Sequence, residues 1–444
     1  MAESTSVRLT QGTNLRKPPF IFHIFKISLV LARPWFPLVT RRFAKSPRLE
    51  GTLGPRLMRE SIPPPKKPAI WLHAVSVGEI EAALPIAGKI IERYGSDNLL
   101  LTTTTKEGYK VAQKKLDGLR HLTYYPFDIP FVIEKFIMHY QPALYICMET
   151  ELWPILTHAL TKRGIPVILA NGRISDRLNN TPWILRSLYR WMFLSFNWIG
   201  LQTNEDFKRL KSFAPDINHA EVIGNTKFDL PDPAGTTDEM SALKNEIGLQ
   251  DGPVIVFGST HPGEEEIICE VFNKLKKDIN NISMILAPRH IDRSDEITEI
   301  LNSSKIRFNV RTQTQKGNRD HKHAECLLLD TVGELTRMYS FGEIAFVGGS
   351  LIKRGGHNLL EPAAAGIPVL HGPHMDNFRA ITTFLHNANA AIETADRESL
   401  LNTILELLND SDKLSKMKQN ALEAYMKGKG ATDIIMAEIE ELMP

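Results

Sequence analysis

A chain of 444 residues is too long for one ordinary hydrophobic core, so two domains are expected, or three with a small N-terminal element. An apolar fraction of 43% with 23% charged residues excludes a disordered or collagen-like chain, and the dispersed Cys147, Cys269 and Cys326 argue against a disulfide framework or a structural zinc site. The net charge of +2 conceals an asymmetry: residues 1–68 hold thirteen Lys/Arg against three acids, +10, leaving −8 for the rest.

The first predicted element lies in that basic segment. An apolar run from Phe20 to Val39 is broken by His23, Lys26, Arg33, Pro34 and Pro37. A bilayer-crossing helix needs about 20 largely uncharged residues, whereas a shorter aromatic-rich stretch flanked by Lys/Arg suits the headgroup boundary. Residues 1–61 are therefore read as a membrane-associating segment, with packing as an ordinary helix on the first domain as the alternative. No small-residue cleavage site follows the run, so a cleaved signal peptide is not expected, and the remainder should stay in the cytosol.

After the Pro-rich stretch Ile62 to Pro68, short apolar runs alternate with amphipathic stretches of helical length, the pattern of βα units around parallel sheets. In the first domain, residues 69–230, strands are predicted at Ala69 to His73, Leu99 to Thr103, Leu144 to Met148, Val167 to Ala170 and Trp198 to Gln202. Asp229 to Thr237, with Pro231, Pro233 and Gly235, reads as a linker. The second domain, residues 238–444, has predicted strands at Val254 to Gly258, Ser283 to Ala287, Cys326 to Leu329, Ile344 to Val347 and Pro368 to Leu370. Residues 311–323 read as an exposed polar loop. Two consecutive Rossmann-like α/β domains imply a central cleft, with ligands outside the carboxyl ends of the strands.

The chemistry-bearing motifs fall at those ends. Trp71 to Glu79, W-L-H-A-V-S-V-G-E, runs from a strand through a turn to Glu79 at a helix start, where a carboxylate is either a base or a partner of the helix dipole. Met148 to Pro154, M-E-T-E-L-W-P, places Glu149 and Glu151 on one face of any extended continuation of its strand, or in a loop where one acid caps the next helix. Arg173 in N-G-R-I-S adds a cation at the same sheet edge. Lys227 in G-N-T-K-F-D can face a substrate carboxylate or developing charge.

In the second half, G-S-T-H-P-G-E-E-E from Gly258 is a strand, a Gly/Ser turn and an acidic helix start able to hold a phosphate. Arg289 and His290 end a strand with groups suited to gripping a nucleotide. Val332, Gly333 and Glu334 form another strand-to-helix turn with free amides. Phe346 to Ala363, F-V-G-G-S-L-I-K-R-G-G-H-N-L-L-E-P-A, brackets Lys353 and Arg354 with glycine pairs. Asn358, Leu359, Leu360 and Glu361 follow, the Glu placed to accept ribose hydroxyls while the glycine turns admit a phosphate. His371 and His374 read as cleft-lining residues rather than metal ligands.

In this order and spacing the segments resemble the Kdo (3-deoxy-D-manno-octulosonic acid) transferases, from about Trp71 to Phe378. The resemblance implies a GT-B fold of two Rossmann-like domains facing a central cleft. It also implies an inverting glycosyltransferase that moves Kdo from CMP-Kdo to a lipid A precursor, lipid IVA, on the cytoplasmic face of the bacterial inner membrane. No cofactor, site metal or nucleic-acid partner is expected. The family's general base falls on Glu79 and its transition-state stabilisers on Glu149 and Lys227. Its CMP contacts fall on Arg289, His290, Val332 to Glu334 and Asn358 to Glu361. Gly172 stands where the family usually has alanine, and Thr226 where it usually has an apolar residue. The competing readings are another nucleotide-sugar enzyme, such as a hexosaminyltransferase or a UDP-sugar epimerase, and a catalytically silent membrane scaffold.

Overall fold

The computed structural model describes residues 17–35, 51–65, 68–116, 118–178, 180–229, 237–318 and 323–443. The distal end of the apolar run, the interior of the linker and part of the 311–323 segment lie outside the described residues. The chain divides into two compact units, one of residues 1–229 with 429–444 and one of residues 230–428.

The first unit is built on seven parallel strands, β1 (Ile70–His73), β2 (Leu99–Thr103), β3 (Leu122–Tyr124), β4 (Leu144–Met148), β5 (Val167–Gly172), β6 (Trp198–Leu201) and β7 (Ala220–Val222), in the order β3-β2-β1-β4-β5-β6-β7. Side chains alternate across this sheet because strand residues point to opposite faces in turn. Ile70, Leu72, Ile146 and Ile168 pack with the helix Val77–Tyr94 on one face, while Trp71, Tyr145, Cys147 and Leu169 pack with Pro130–Tyr140 and Pro154–Lys162 on the other.

The second unit repeats the plan with β8 (Val254–Thr260), β9 (Ser283–Pro288), β10 (Phe308–Val310), β11 (Cys326–Leu328), β12 (Ile344–Val347), β13 (Val369–His371) and β14 (Ala391–Glu393), in the order β10-β11-β9-β8-β12-β13-β14. All ten predicted strands form. β3, β7, β10 and β14 were not predicted, and they are the four outer strands of the two sheets.

Two expectations are corrected. The second domain does not run to residue 444: Ala431, Ile435, Met436 and Ile439 of the helix Ala431–Leu442 are buried with Ile86 and Ile90 in the core of the first unit. The Asp229 carboxylate accepts from the amides of Gly430 (2.6 Å) and Thr432 (2.7 Å), so a residue near the expected boundary caps that returning helix. Nor is the 311–323 segment simply an exposed loop. Arg311–Thr314 is one helical turn, and the buried Arg311 guanidinium pairs with Glu334 (2.8 Å) and Glu246 (2.7 Å).

The N-terminal run forms the helix Phe20–Leu31. At 1.5 Å per residue it is about 18 Å long, short of the roughly 30 Å hydrocarbon layer. No helix among the described residues is long and apolar enough to cross a membrane. Phe22 is fully buried against Trp191 (5.3 Å between ring centroids) and His158 (4.8 Å), so the helix packs on the first unit.

His73, at the end of β1, is fully buried beneath the Tyr125 ring, 4.0 Å between centroids, with Nδ1 against the Thr102 carbonyl (3.1 Å). Burial above all, and the Arg56 charge, push its pKa down to about 3. Between that value and the unfolded value near 6.5, the unfolded chain binds a proton that the folded chain refuses, so this histidine withdraws stability as pH falls through the window. Replacing it by His73→Gln is expected to make the unfolding free energy less steep in that window by up to one proton, about 1.4 kcal/mol per pH unit. Urea unfolding of both proteins across the range measures the difference.

Candidate active site

The order of each sheet reverses between its two central strands, β1 and β4 in the first unit and β8 and β12 in the second, and loops leaving the carboxyl ends of such a pair diverge to leave a crevice. In the first unit that crevice is a pocket of about 860 Å³ lined by Glu79, Glu149, Glu151, Arg173 and the Asp176–Tyr189 region. Glu79 sits in the first turn of Val77–Tyr94. Its carboxylate accepts from the Val75 amide (2.8 Å) and the Ser76 hydroxyl (3.2 Å), while Ser76 Oγ caps the helix by accepting from the Glu79 amide (3.4 Å). Both oxygens are thus oriented by neighbours within four residues.

Burial pushes the Glu79 pKa up to about 7, with Glu149 and Glu151 adding repulsion and the Val75 amide and Ser76 opposing it. Such a carboxylate exchanges a proton near neutrality, the property a general base needs. Burial also raises Glu149, against the pull of Lys227 and Arg173, and raises Glu151, with Glu149 adding to it. The Lys227 ammonium lies 3.6 Å from the position a Cβ on Gly78 would occupy, which places the cation at the turn carrying Glu79.

Glu149 does not continue its strand. Its φ of +53° is left-handed, so Glu149 and Glu151 reach the pocket from a turn rather than from one face of an extension. Lys227 is held from behind: the Asn225 side chain accepts from its amide (3.0 Å), Thr226 Oγ1 donates to the Ala82 carbonyl (2.7 Å), and the Thr226 amide donates to Asn171 Oδ1 (3.1 Å). Asn180, Thr181, Tyr189 and Arg209 also line the pocket and were not singled out in the sequence. They lie in or beside a helix away from any strand end, where position alone carries no signal.

In the second unit Arg289 and His290 lie beside His261, with Arg354 and His357 in the same group. The Gly348–Gly349 turn after β12 is occupied by the protein itself. The buried Glu264 carboxylate accepts from the amides of Gly349 (2.7 Å), His261 (3.0 Å), Leu351 (3.0 Å) and Ser350 (3.1 Å). Those four amides are engaged, so of the two glycine pairs expected to admit a phosphate, Gly348–Gly349 does not offer its amides. Gly348 is required for another reason: a Cβ there would sit 2.6 Å from the Ser259 carbonyl.

Val332 and Gly333 are exposed at their turn, whereas the Glu334 carboxylate is engaged by Arg311 (2.8 Å). Glu361 accepts from Thr336 Oγ1 (2.9 Å) and Asn358 Nδ2 (3.4 Å) and keeps a half-buried position. Leu359 and Leu360 are fully buried, so they can offer a ligand only backbone groups. Among the described residues, no group of three or more His, Cys, Asp or Glu side chains is placed to hold a metal ion.

Two parallel seven-stranded sheets with interleaved helices and carboxyl-end sites define an enzyme of the GT-B fold. The UDP-GlcNAc 2-epimerase of Neisseria meningitidis has a similar architecture, with a TM-score of 0.54 over 84% of this chain and 100% of that one, but at 15% identity it shares the fold alone. A family model described as 3-deoxy-D-manno-octulosonic-acid transferase (kdotransferase) matches residues 51–230. The 3-deoxy-D-manno-octulosonic acid transferase of Haemophilus influenzae is 34% identical over 87% of this chain and 90% of its own length. That of Bordetella pertussis is 30% identical over 85% and 88%. The chain belongs to the 3-deoxy-D-manno-octulosonic acid transferase family and is a glycosyltransferase.

A reaction that uses Glu79 as its base is expected to show kcat/KM rising with pH along an acid limb centred near pH 7. Glu151→Gln removes a negative neighbour and should move that limb to lower pH. A limb that stays in place in the variant would rule out Glu151 as part of its cause.

Proposed function

We propose that the protein transfers Kdo from CMP-Kdo to a lipid A precursor, lipid IVA, with inversion at the anomeric carbon, in lipopolysaccharide inner-core biosynthesis. The observation that carries the reading is the Glu79 carboxylate, oriented by Val75 and Ser76, raised to about 7 and open to an 860 Å³ pocket. Glu79 takes the proton of an acceptor hydroxyl as that oxygen attacks the anomeric carbon, and the bond to the CMP phosphate breaks. An inverting displacement needs one base and no second nucleophilic carboxylate. The Glu149 carboxylate then faces the positive charge that develops on the sugar, and Lys227 faces negative charge. In the second unit Arg289 and His290 are assigned to the nucleotide phosphate, and Asn358 to Glu361 and the Val332–Glu334 turn to the rest of CMP.

Glu79→Gln keeps the hydrogen-bonding shape but not the basicity. Transfer from CMP-Kdo to tetraacylated lipid A precursor, read by mass spectrometry of the products, is expected to fall by roughly 10²–10⁴-fold with CMP binding retained. Near wild-type transfer by the variant would refute the base assignment, and calorimetry giving tight UDP but negligible CMP binding would refute the donor.

The membrane surface belongs to the same proposal. Phe20, Ile24, Ile27, Leu31 and Trp35 are exposed along the N-terminal helix and the turn after it, and Trp183 and Ile184 are exposed at the start of the helix Trp183–Leu194. That second helix also contributes Leu185 and Tyr189 to the Glu79 pocket. An aromatic apolar face beside Lys17, Lys26 and Arg33 suits the headgroup boundary of an anionic bilayer. It would present the pocket to a lipid whose acyl chains stay in the membrane, at the cytoplasmic face of the inner membrane. The double variant Ile27→Glu, Leu31→Glu is expected to lose flotation with phosphatidylglycerol/phosphatidylethanolamine vesicles while binding CMP unchanged; undiminished flotation would remove this face from the membrane contact.

A further inference from the structure

His261 leaves the end of β8 and His357 follows β12, so the two imidazoles meet across the point where the second sheet reverses. Their Nε2 atoms are 2.8 Å apart and their rings are parallel within 3°. Two nitrogens at that distance share one proton: one ring donates through Nε2 and keeps a bare Nδ1, and the other accepts at Nε2 and carries its proton on Nδ1.

Guanidinium groups surround the pair. Arg289, Arg293 and Arg354, with the His290 imidazole, act on His261, and Arg289 and the His290 imidazole act on His357. Arg293 is answered by Glu265 (2.9 Å) and Glu296 (2.7 Å), and the adjacent Glu264 carboxylate is held by four backbone amides. Among the described residues, neither Arg289 nor Arg354 pairs with a carboxylate. Burial first, and then these neighbours, hold both histidines down to about 4, so at neutral pH the pair is uncharged. A cluster of guanidinium groups facing an uncharged imidazole pair has the charge pattern of an anion receptor whose counterion comes from outside.

We propose that the His261–His357 pair is a proton-accepting element of a phosphate site, so that binding of a phosphate-bearing nucleotide among Arg289, His290 and Arg354 is coupled to uptake of one proton from solvent by the pair. The proton goes to the bare Nδ1 of the donor ring, and the Nε2–Nε2 bond is retained. A bound phosphate reverses the local field, because it favours the charged pair that the guanidinium groups disfavour. Departure of the nucleotide returns the proton to solvent. This inference rests on the second unit being the nucleotide unit and assigns its phosphate subsite to residues on both sides of the sheet reversal.

The test is calorimetric titration of the full chain with CMP at pH 6.5, in buffers that differ in ionisation enthalpy. The proton count of the wild type is compared with those of His357→Gln and His261→Gln, and thermal melts verify that the variants fold. The ionisation of CMP itself is common to all three, so an excess uptake of roughly half a proton or more by the wild type is expected. Cytidine, which lacks the phosphate, should give no excess. Equal proton counts in wild type and variants overturn the coupling alone, whereas absence of CMP binding by the wild type overturns the nucleotide reading and the coupling with it. A second readout needs no variant to bind: in wild-type protein carrying 15N-labelled histidine, CMP should move a bare imidazole nitrogen signal into the protonated range, and an unchanged spectrum overturns the proposal.

Discussion

The constraint on which the structure depends is the reversal of strand order in each parallel sheet. Parallel strands need crossovers, and crossovers that turn outward from a central pair leave the carboxyl ends of that pair without a covering loop. In the first unit the pair is β1 and β4, whose following residues deliver Glu79 and Glu149. In the second it is β8 and β12, whose following residues deliver His261 and His357. The same geometric necessity therefore produces one site rich in carboxylates and another rich in cations, and local side chains decide which.

Electrostatics separates the two sites more sharply than composition does. Four carboxylates, Glu79, Glu149, Glu151 and Asp176, line the first pocket, with Lys227 and Arg173 acting on Glu149, and repulsion from Glu149 and Glu151 adds to burial in keeping Glu79 protonatable near neutrality. In the second unit Glu264, whose carboxylate accepts from the His261 amide, is held by four amides in all and is not free to neutralise the arginines. A mobile acid at that position would compete with any bound anion. By fixing the backbone of residues 349–351, Glu264 also makes the glycine turn a structural clamp, which leaves ligand recognition to the side chains around it.

What was legible in the sequence follows from burial. Each strand buried on both faces announces itself as a continuous apolar run, as Leu144–Met148 and Ile344–Val347 do, and every predicted strand forms. β3, β7, β10 and β14 escaped notice because a three-residue outer strand needs apolar side chains at only one or two positions, and Ala220–Val222 has none fully buried. The return of Ala431–Leu442 to the first unit was hidden for a different reason. An amphipathic helix reports that it packs, but not on which sheet, and the decisive contact is the Asp229 cap made 201 residues away in sequence. Arg311 likewise reads as a polar loop residue until its partners Glu246 and Glu334, both distant in sequence, are brought beside it. Site residues at strand ends were recoverable because strand ends were; Asn180, Thr181 and Arg209 were not, since nothing in their spacing points to a pocket.

The backbone carries a further imprint of the sites. Glu149, Asn171 and Ser259 are non-glycine residues in the left-handed region, at or just beyond the carboxyl ends of β4, β5 and β8. Each such residue costs on the order of 1 kcal/mol, and it persists only where surrounding bonds over-determine it. The Glu149 amide donates to the Ala170 carbonyl (3.0 Å); Asn171 accepts from the Thr226 amide at its side chain (3.1 Å) and from Gln202 at its carbonyl (2.9 Å). These bonds join the turn that carries Glu149 to the segment that carries Lys227. Those bonds, made with Glu149 and Asn171 in the left-handed region, therefore hold the Glu149 carboxylate and the Lys227 ammonium, 78 residues apart in sequence, at the carboxyl end of the first sheet. Relieving it with a regular strand end would carry Glu149 along the strand direction and away from the turn at Gly78 where the Lys227 ammonium rests.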